Sequence, residues 1–238
     1  MAAHLGSRDP RANRLLATLP AAALARLAPH FEAVQTDQGV VLVHADQPIE
    51  RVFFPTSGLF SLVVKDAQGD AVEAAVAGRE GMLGSAVLLG ASSSMFEELC
   101  QIEDGVLGLP ANLLVREVEA DSSIRRVFLG YVASILQATA RNVSCNRLHS
   151  SDQRLARWLL QVRDRVEADT FYLTQEFLAT MLGVRRPTVT DAVRVLTDEG
   201  LIRHQRGRVR LLDIAGLEKV ACEDYVRIRD AYVAYLAE

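Results

Sequence analysis

The sequence predicts an α+β chain built from an N-terminal antiparallel β-roll, a long helix and a C-terminal winged helix-turn-helix. Three observations predict it. Short strand-like runs at roughly ten-residue spacing fill the first half. One stretch from Ser122 to Leu148 holds no proline and only Gly130. A helix–Gly–helix pattern followed by a basic hairpin occupies Leu173–Leu212.

Arg11–His30 reads as short helices, because Leu15, Leu16, Leu19, Leu24 and Leu27 recur at helical spacing with Pro20 and Pro29 as punctuation. From Phe31 to Leu109 the texture becomes β-type: Val40–His44, Arg51–Phe54, Gly58–Val64, Ala71–Val76, Glu98–Ile102 and Gly105–Leu109. Turn signals such as Pro55-Thr-Ser-Gly58 and Ala67-Gln-Gly-Asp70 separate these runs, which suits a jelly-roll-like antiparallel roll. On the long helix, Ile124, Phe128, Tyr131, Ile135 and Ala138 form one stripe, widened by Val127, Val132, Leu136 and Val143. One small barrel does not cover so broad a face, so the stripe is expected to be a dimerisation seam. Ser150 or Ser151 is the expected N-cap of the next helix, whose face carries Leu155, Trp158, Leu159 and Val162. A last helix, Ile214–Leu236, is expected to pack on the C-terminal segment through Leu217, Val220, Tyr225, Ile228 and Tyr232. The implied division is 1–120 for N-terminal helices and roll, 121–149 for dimer helix and hinge, and 150–238 for the head.

Composition narrows the function. Half of the 238 residues are hydrophobic, yet no run is long enough to span a bilayer or to serve as a signal peptide, so a cytoplasmic protein with no membrane partner is expected. Cys100, Cys145 and Cys222 are odd in number and far apart, which offers neither a disulfide framework nor metal-ligand spacing. The net charge of −4 is unevenly distributed. Residues 1–141 hold 11 basic and 16 acidic side chains, whereas residues 185–210 hold seven arginines against three acids. Local sign decides phosphate attraction, because screening acts within about 8–10 Å.

The chemistry-bearing constellation runs from Thr174 to Leu196. Thr174 opens a short helix with Gln175 beside it, Ala179 allows a close crossing, and Gly183 stands where the inter-helix turn demands positive φ. Leu178, Leu182, Val184, Val189 and Val193 supply the shared core. Pro187 suits a first helical turn. The opposite face presents Arg185, Arg186, Thr188, Thr190, Asp191 and Arg194, side chains able to reach phosphates and base edges in a major groove. Gln205-Arg-Gly-Arg208 then tips a β-hairpin wing with Arg206 and Arg208, which can add backbone contacts.

With these motifs in hand, the chain resembles the cyclic-AMP receptor/fumarate-nitrate regulator (Crp/Fnr) family. The resemblance rests on Arg154-Leu-Ala-Arg-Trp-Leu-Leu160 and Leu182-Gly-Val-Arg-Arg-Pro-Thr-Val189, with Pro55–Gly58 and Gly78–Gly84 in support. It implies a cyclic-nucleotide-binding-domain fold for the roll, a homodimer on palindromic double-stranded DNA, RNA polymerase as a candidate partner, and an unidentified small-molecule or redox effector. The effector pocket would include Val76, Gly84, Ser85, Ser93 and Ser94.

Departures from the family pattern carry expectations too. Where cyclic-nucleotide binders place a Glu after a Gly, this chain has Ser85 after Gly84, and Gly90–Phe96 contains no Arg. A buried cyclic phosphate would lack its counter-ion, so cyclic AMP is not an expected cofactor. No cysteine cluster suits an iron–sulfur centre. His44, the lone histidine of the roll, reads as a surface residue rather than a haem ligand, and His4, His30, His149 and His204 are scattered. Of the residues with which the family reads a half-site, only Arg186 matches; Pro187 and Asp191 stand at the other two positions. Glu73, Glu80, Glu97, Glu98, Glu103 and Asp104 read as a solvated acidic face, and no catalytic motif appears, so an enzyme is not expected. The rival to a ligand-responsive regulator is a DNA-binding protein whose roll serves only subunit contacts.

Overall fold

The computed structural model describes residues 8–236; His4 and the rest of the first seven residues lie outside it. Two short helices, α1 (Arg14–Ala17) and α2 (Ala21–Leu27), open the chain. Asn13 caps α1 through Leu16 N (2.9 Å) and donates to the carbonyls of Pro55 (2.9 Å) and Gly81 (2.8 Å). A buried amide so fully used ties these helices to the sheets that follow.

The roll contains β1 (Glu32–Thr36), β2 (Val41–Val43), β3 (Arg51–Pro55), β4 (Leu59–Lys65), β5 (Ala71–Ala77), β6 (Glu97–Ile102) and β7 (Asp104–Pro110). They form two antiparallel sheets, ordered β1-β7-β3 and β2-β6-β4-β5. Phe54, Phe60, Leu62, Leu107 and Leu109 fill the space between them. The second sheet is buried on both faces, which is why Leu59–Val63 is a continuous apolar run apart from Ser61.

Helix α3 (Ala111–Ala120) precedes the long helix α4 (Ser122–Leu148), and only the second was legible in the sequence. Asp121 separates them by accepting from Ser123 N at 2.9 Å. At 27 residues, α4 is about 40 Å long. Its expected dimer stripe is corrected here. Ile124, Phe128 and Tyr131 are fully buried and Ile135 and Ala138 nearly so, all within the chain's own core. Tyr131 Oη also donates to Met82 O at 2.7 Å. The roll, α3, α1 and above all the last helix of the chain (Asp224–Leu236) together cover more of α4 than a bare barrel would. The outward face instead exposes Leu129, Leu136 and Val143, spaced by seven, with Ala133 and Ala140 between them.

The head begins with α5 (Ser151–Val166), capped by Ser150, whose N–H donates to Gln153 Oε1 at 3.1 Å. It continues through β8 (Thr170–Tyr172), α6 (Gln175–Leu182), α7 (Arg186–Asp198), β9 (Ile202–Gln205), β10 (Arg208–Leu211), α8 (Ile214–Val220) and α9 (Asp224–Leu236). The expected single last helix is thus two. Leu217, Val220 and Tyr225 pack in the head as expected, but Ile228, Tyr232 and Tyr235 of α9 join the roll's core, and Tyr232 Oη donates to Val76 O at 3.3 Å.

Candidate nucleic-acid interface

The turn between α6 and α7 follows from local sequence. Thr174 Oγ1 accepts from Phe177 N at 3.2 Å and starts α6. Gly183 ends it at φ +59°, a conformation that penalises any Cβ. Pro187 occupies the first turn of α7. Leu178, Leu182, Val189 and Val193 are buried between the helices, while Val184 is half-buried. Arg185, Arg186, Thr190, Asp191 and Arg194 all face solvent, with Thr188 half-buried beside them. Thr190 Oγ1 lies 3.2 Å from Gln175 Oε1, and Asp191 sits 3.5 Å from Arg194 across one helical turn. An exposed pair of this kind contributes well under 1 kcal/mol to stability, so it orients the guanidinium more than it holds the fold.

The wing is a three-stranded sheet in the order β8-β10-β9; the sequence reading found the hairpin and missed β8, which at three residues carries no period. Arg206 and Gly207 both take positive φ, +51° and +75°, which makes the two-residue turn compatible with the strand twist. A Cβ on Gly207 would come within 2.9 Å of the Tyr172 ring. Arg203, Arg206, Arg208 and Arg210 are exposed along the hairpin. Together, α7 and the wing present an exposed surface rich in guanidinium groups, a charge suited to a groove and its flanking phosphates.

Family comparison identifies this arrangement. The family model for the Crp-like helix-turn-helix domain matches residues 153–220. Residues 153–220 thus form a Crp-like helix-turn-helix domain, and the chain is a DNA-binding transcription regulator of the Crp/Fnr type. It is 25% identical over 203 residues to the transcriptional regulatory protein btr of Bordetella pertussis, covering 79% of this chain and 81% of that one. It is likewise 25% identical over 198 residues to the transcriptional regulator SdrP of Thermus thermophilus, covering 80% and 94%. Among solved structures, FixK2 from Bradyrhizobium japonicum superposes with a TM-score of 0.70 at 17% identity, over 81% of this chain and 98% of that one. A Crp/Fnr-family regulator from Thermus thermophilus gives 0.66 at 24% identity, over 80% and 98%. At these identities the structural likeness speaks for the fold.

In this Crp/Fnr-type chain the head is fastened to its own roll by buried polar contacts. Trp158 Nε1 donates to Glu73 Oε1 at 2.8 Å, and Ser61 Oγ donates to the other oxygen of Glu73. Arg165 pairs with Glu80 at 2.6 Å, both nearly buried, and its guanidinium stacks 4.9 Å from the Tyr232 ring centre. Arg157 Nη1 donates to Asn142 Oδ1 of α4 at 2.7 Å, and Asn142 Nδ2 donates to Ala74 O at 2.7 Å. Three of these acids overturn the expected solvated face: Glu73 is buried where α5 docks on the sheet, Glu80 lies in the turn after β5 against Arg165, and Glu98 is buried within the roll against Gly84 and Ser94. Desolvation pushes Glu73 up to about 7 against its hydrogen bonds from Ser61 and Trp158.

The expected effector residues do not share one pocket. Val76 points away from the roll interior into the head's hydrophobic cluster, because its neighbours Ala75 and Ala77 take the inward positions of β5. Gly84 N donates to Glu98 Oε2 at 2.9 Å, and Ser94 Oγ lies 3.5 Å from Glu98 Oε1. Ser93 and Ser94 pair with Pro48 and Ala45 in isolated bridges, and Ser85 starts a 3-10 turn. The amide and hydroxyl that a ligand anion would meet are therefore turned to Glu98, whose burial pushes it up to about 7.

Another cluster escaped the sequence reading. Cys145 and Cys222, 77 positions apart, come within 3.4 Å, and His149 and Asp224 join them. The available signal was Cys145 and His149 at i,i+4 on a helix, half of a ligand set whose other half lies beyond the wing.

Proposed function

We propose that this regulator acts as a homodimer in the cytoplasm, reads a palindromic operator with α7 and wing, and shifts its heads in response to a signal received by the roll. The observation that carries the reading is the solvent-facing set Arg185, Arg186, Thr190, Asp191 and Arg194 beside the Arg206/Arg208 wing tip. In the complex, Arg186 donates to a guanine edge, Asp191 accepts from a cytosine amino group or orients Arg194, and Thr174, Gln175, Thr188, Arg206 and Arg208 take backbone contacts. Contact with RNA polymerase belongs to the same reading.

Support for the dimer comes from the heptad-spaced Leu129, Leu136 and Val143, which are 39%, 70% and 69% exposed. Selection of bound DNA from a random pool tests the function: two inverted half-sites are expected, with spacing that mirrors a twofold axis. Leu136→Asp should shift sedimentation from dimer to monomer and reduce operator affinity at least tenfold. A monomeric wild-type chain, or a selected site without inverted symmetry, would overturn the dimer reading.

One observation favours ligand-independent binding: Glu98 already engages Gly84 N and lies beside Ser94. Under that reading, operator affinity is the same with and without cell metabolites. Under either reading, cyclic AMP gives no micromolar isotherm in calorimetry.

A further inference from the structure

We propose that Cys145, His149, Cys222 and Asp224 form a binding site for a thiophilic divalent cation, zinc being the type, at the joint between α4 and the head. One ligand atom from each of the four lies within 4.8 Å of all the others. Tetrahedral zinc, with bonds of about 2.3 Å to sulfur and 2.0–2.2 Å to nitrogen or oxygen, separates its ligand atoms by roughly 3.3–3.8 Å. The two sulfurs are 3.4 Å apart, and His149 Nδ1 is 4.0 Å from Asp224 Oδ2. Closing around an ion requires the most widely separated ligand atoms to approach by up to about 1 Å.

The surroundings also suit an ion. Cys145 lies in the last turn of α4 and His149 is the residue that caps it, its N–H donating to Cys145 O at 3.2 Å, while Cys222 precedes α9 and Asp224 begins it. His149 Nδ1 is buried, makes no hydrogen bond of ordinary length and angle among the described residues, and faces the cluster. The other, Nε2, lies 3.4 Å from Glu223 Oε2, the carboxylate–histidine arrangement that fixes the tautomer of a ligating imidazole. Asp224 Oδ1 is held 3.7 Å from both Arg141 Nη1 and Arg227 Nη1, leaving Oδ2 toward His149. Two thiolates, a carboxylate and a neutral imidazole around a dication leave one negative charge, which these guanidinium groups answer. Two sulfurs and an imidazole select zinc-like ions over magnesium or calcium, and burial of the thiols and the carboxylate makes the site a closed, structural type.

His149 directly precedes Ser150, the N-cap of α5, so an ion here pins the end of α4 to α9 across the hinge. The consequence for DNA rests on the reading that head position governs operator binding. Cobalt titration of the reduced, full-length protein tests the site. One equivalent per chain should develop the strong visible bands of tetrahedral cobalt with a near-ultraviolet thiolate charge-transfer band, and one equivalent of zinc should bleach both. Cys222→Ser should remove about half of the charge-transfer intensity. Glu223→Gln should weaken cobalt binding about 10–100-fold. Cys100→Ser, in β6, should leave the spectrum unchanged. His149→Cys, which keeps four ligands, should raise the charge-transfer intensity and guards against loss by misfolding. A weak octahedral spectrum, no uptake with closure of a Cys145–Cys222 disulfide in air, or a spectrum indifferent to Cys222→Ser would overturn the site. Zinc saturation should then change affinity for the selected operator fivefold or more; equal affinities on a protein with the tetrahedral spectrum would overturn the hinge role alone.

Discussion

The head carries two groups of arginines. On α7 and the wing, Arg185, Arg186, Arg194, Arg206 and Arg208 are exposed, and among them only Arg194 has a protein carboxylate within ion-pair distance among the described contacts. On α5, Arg154, Arg157 and Arg165 are buried and donate to a backbone carbonyl, to Asn142 and Gln161, and to Glu80. The side chain is the same and its use is opposite. Buried guanidinium groups are held by fixed partners because an unpaired charge there is costly. Exposed ones stay hydrated and keep their donors for phosphate and base edges. The buried group helps fix where the head sits, and the exposed group is the one proposed to grip DNA.

The largest effect is expected on the buried side. Glu80→Ala leaves the Arg165 charge without its carboxylate and should cost about 3–5 kcal/mol in urea unfolding. Replacing both, as Glu80→Leu with Arg165→Met, should recover most of that loss. A Glu80→Ala protein as stable as wild type would mean that water reaches the pair.

Carboxylates sharpen the same contrast, since Asp191 is exposed while Glu98 is buried. Burial raises Glu98 to about 7 from an unfolded value near 4.3. Between these values the folded state binds more protons than the unfolded one, so stability falls as pH rises from about 4.3 to about 7 and levels off above. Glu98→Gln should remove this slope, changing the gap between variant and wild type by about 3 kcal/mol between pH 4 and pH 8. Parallel pH profiles of the two proteins would contradict the raised value.

The smallest effect belongs to the exposed side. Arg203→Ala should alter unfolding free energy by less than about 0.5 kcal/mol. If Arg203 meets a phosphate, the same change reduces the salt dependence of DNA binding by about one ion. A large loss of stability would show that the wing arginines are structural after all.

The arginines also show what a sequence discloses. Gly183, Thr174 and the turn at Arg206-Gly207 are local instructions, and the structure follows them. The span of α4 was legible because only Gly130 interrupts 27 helical residues. Which side of α4 is covered was not, since that depends on α1, α3 and α9 closing over it from distant parts of the chain. The buried carboxylates were misread for a related reason. Alternation marks two faces of a strand, but it cannot tell that α5 will dock over Glu73, that Arg165 will cover Glu80 or that the 84–94 segment will close over Glu98. The Cys145–Cys222 pair depends on the same long-range closure, through α9.

The most direct test of the account compares Arg186→Ala and Arg206→Ala on the selected operator and on random DNA at fixed salt. The account predicts that Arg186→Ala loses about 1–3 kcal/mol on the operator and little on random DNA, relaxing specificity at one base position. It predicts that Arg206→Ala weakens binding to both alike. Equal losses for both variants on both DNAs, or no loss for either, would contradict the assignment of reading to α7 and of grip to the wing.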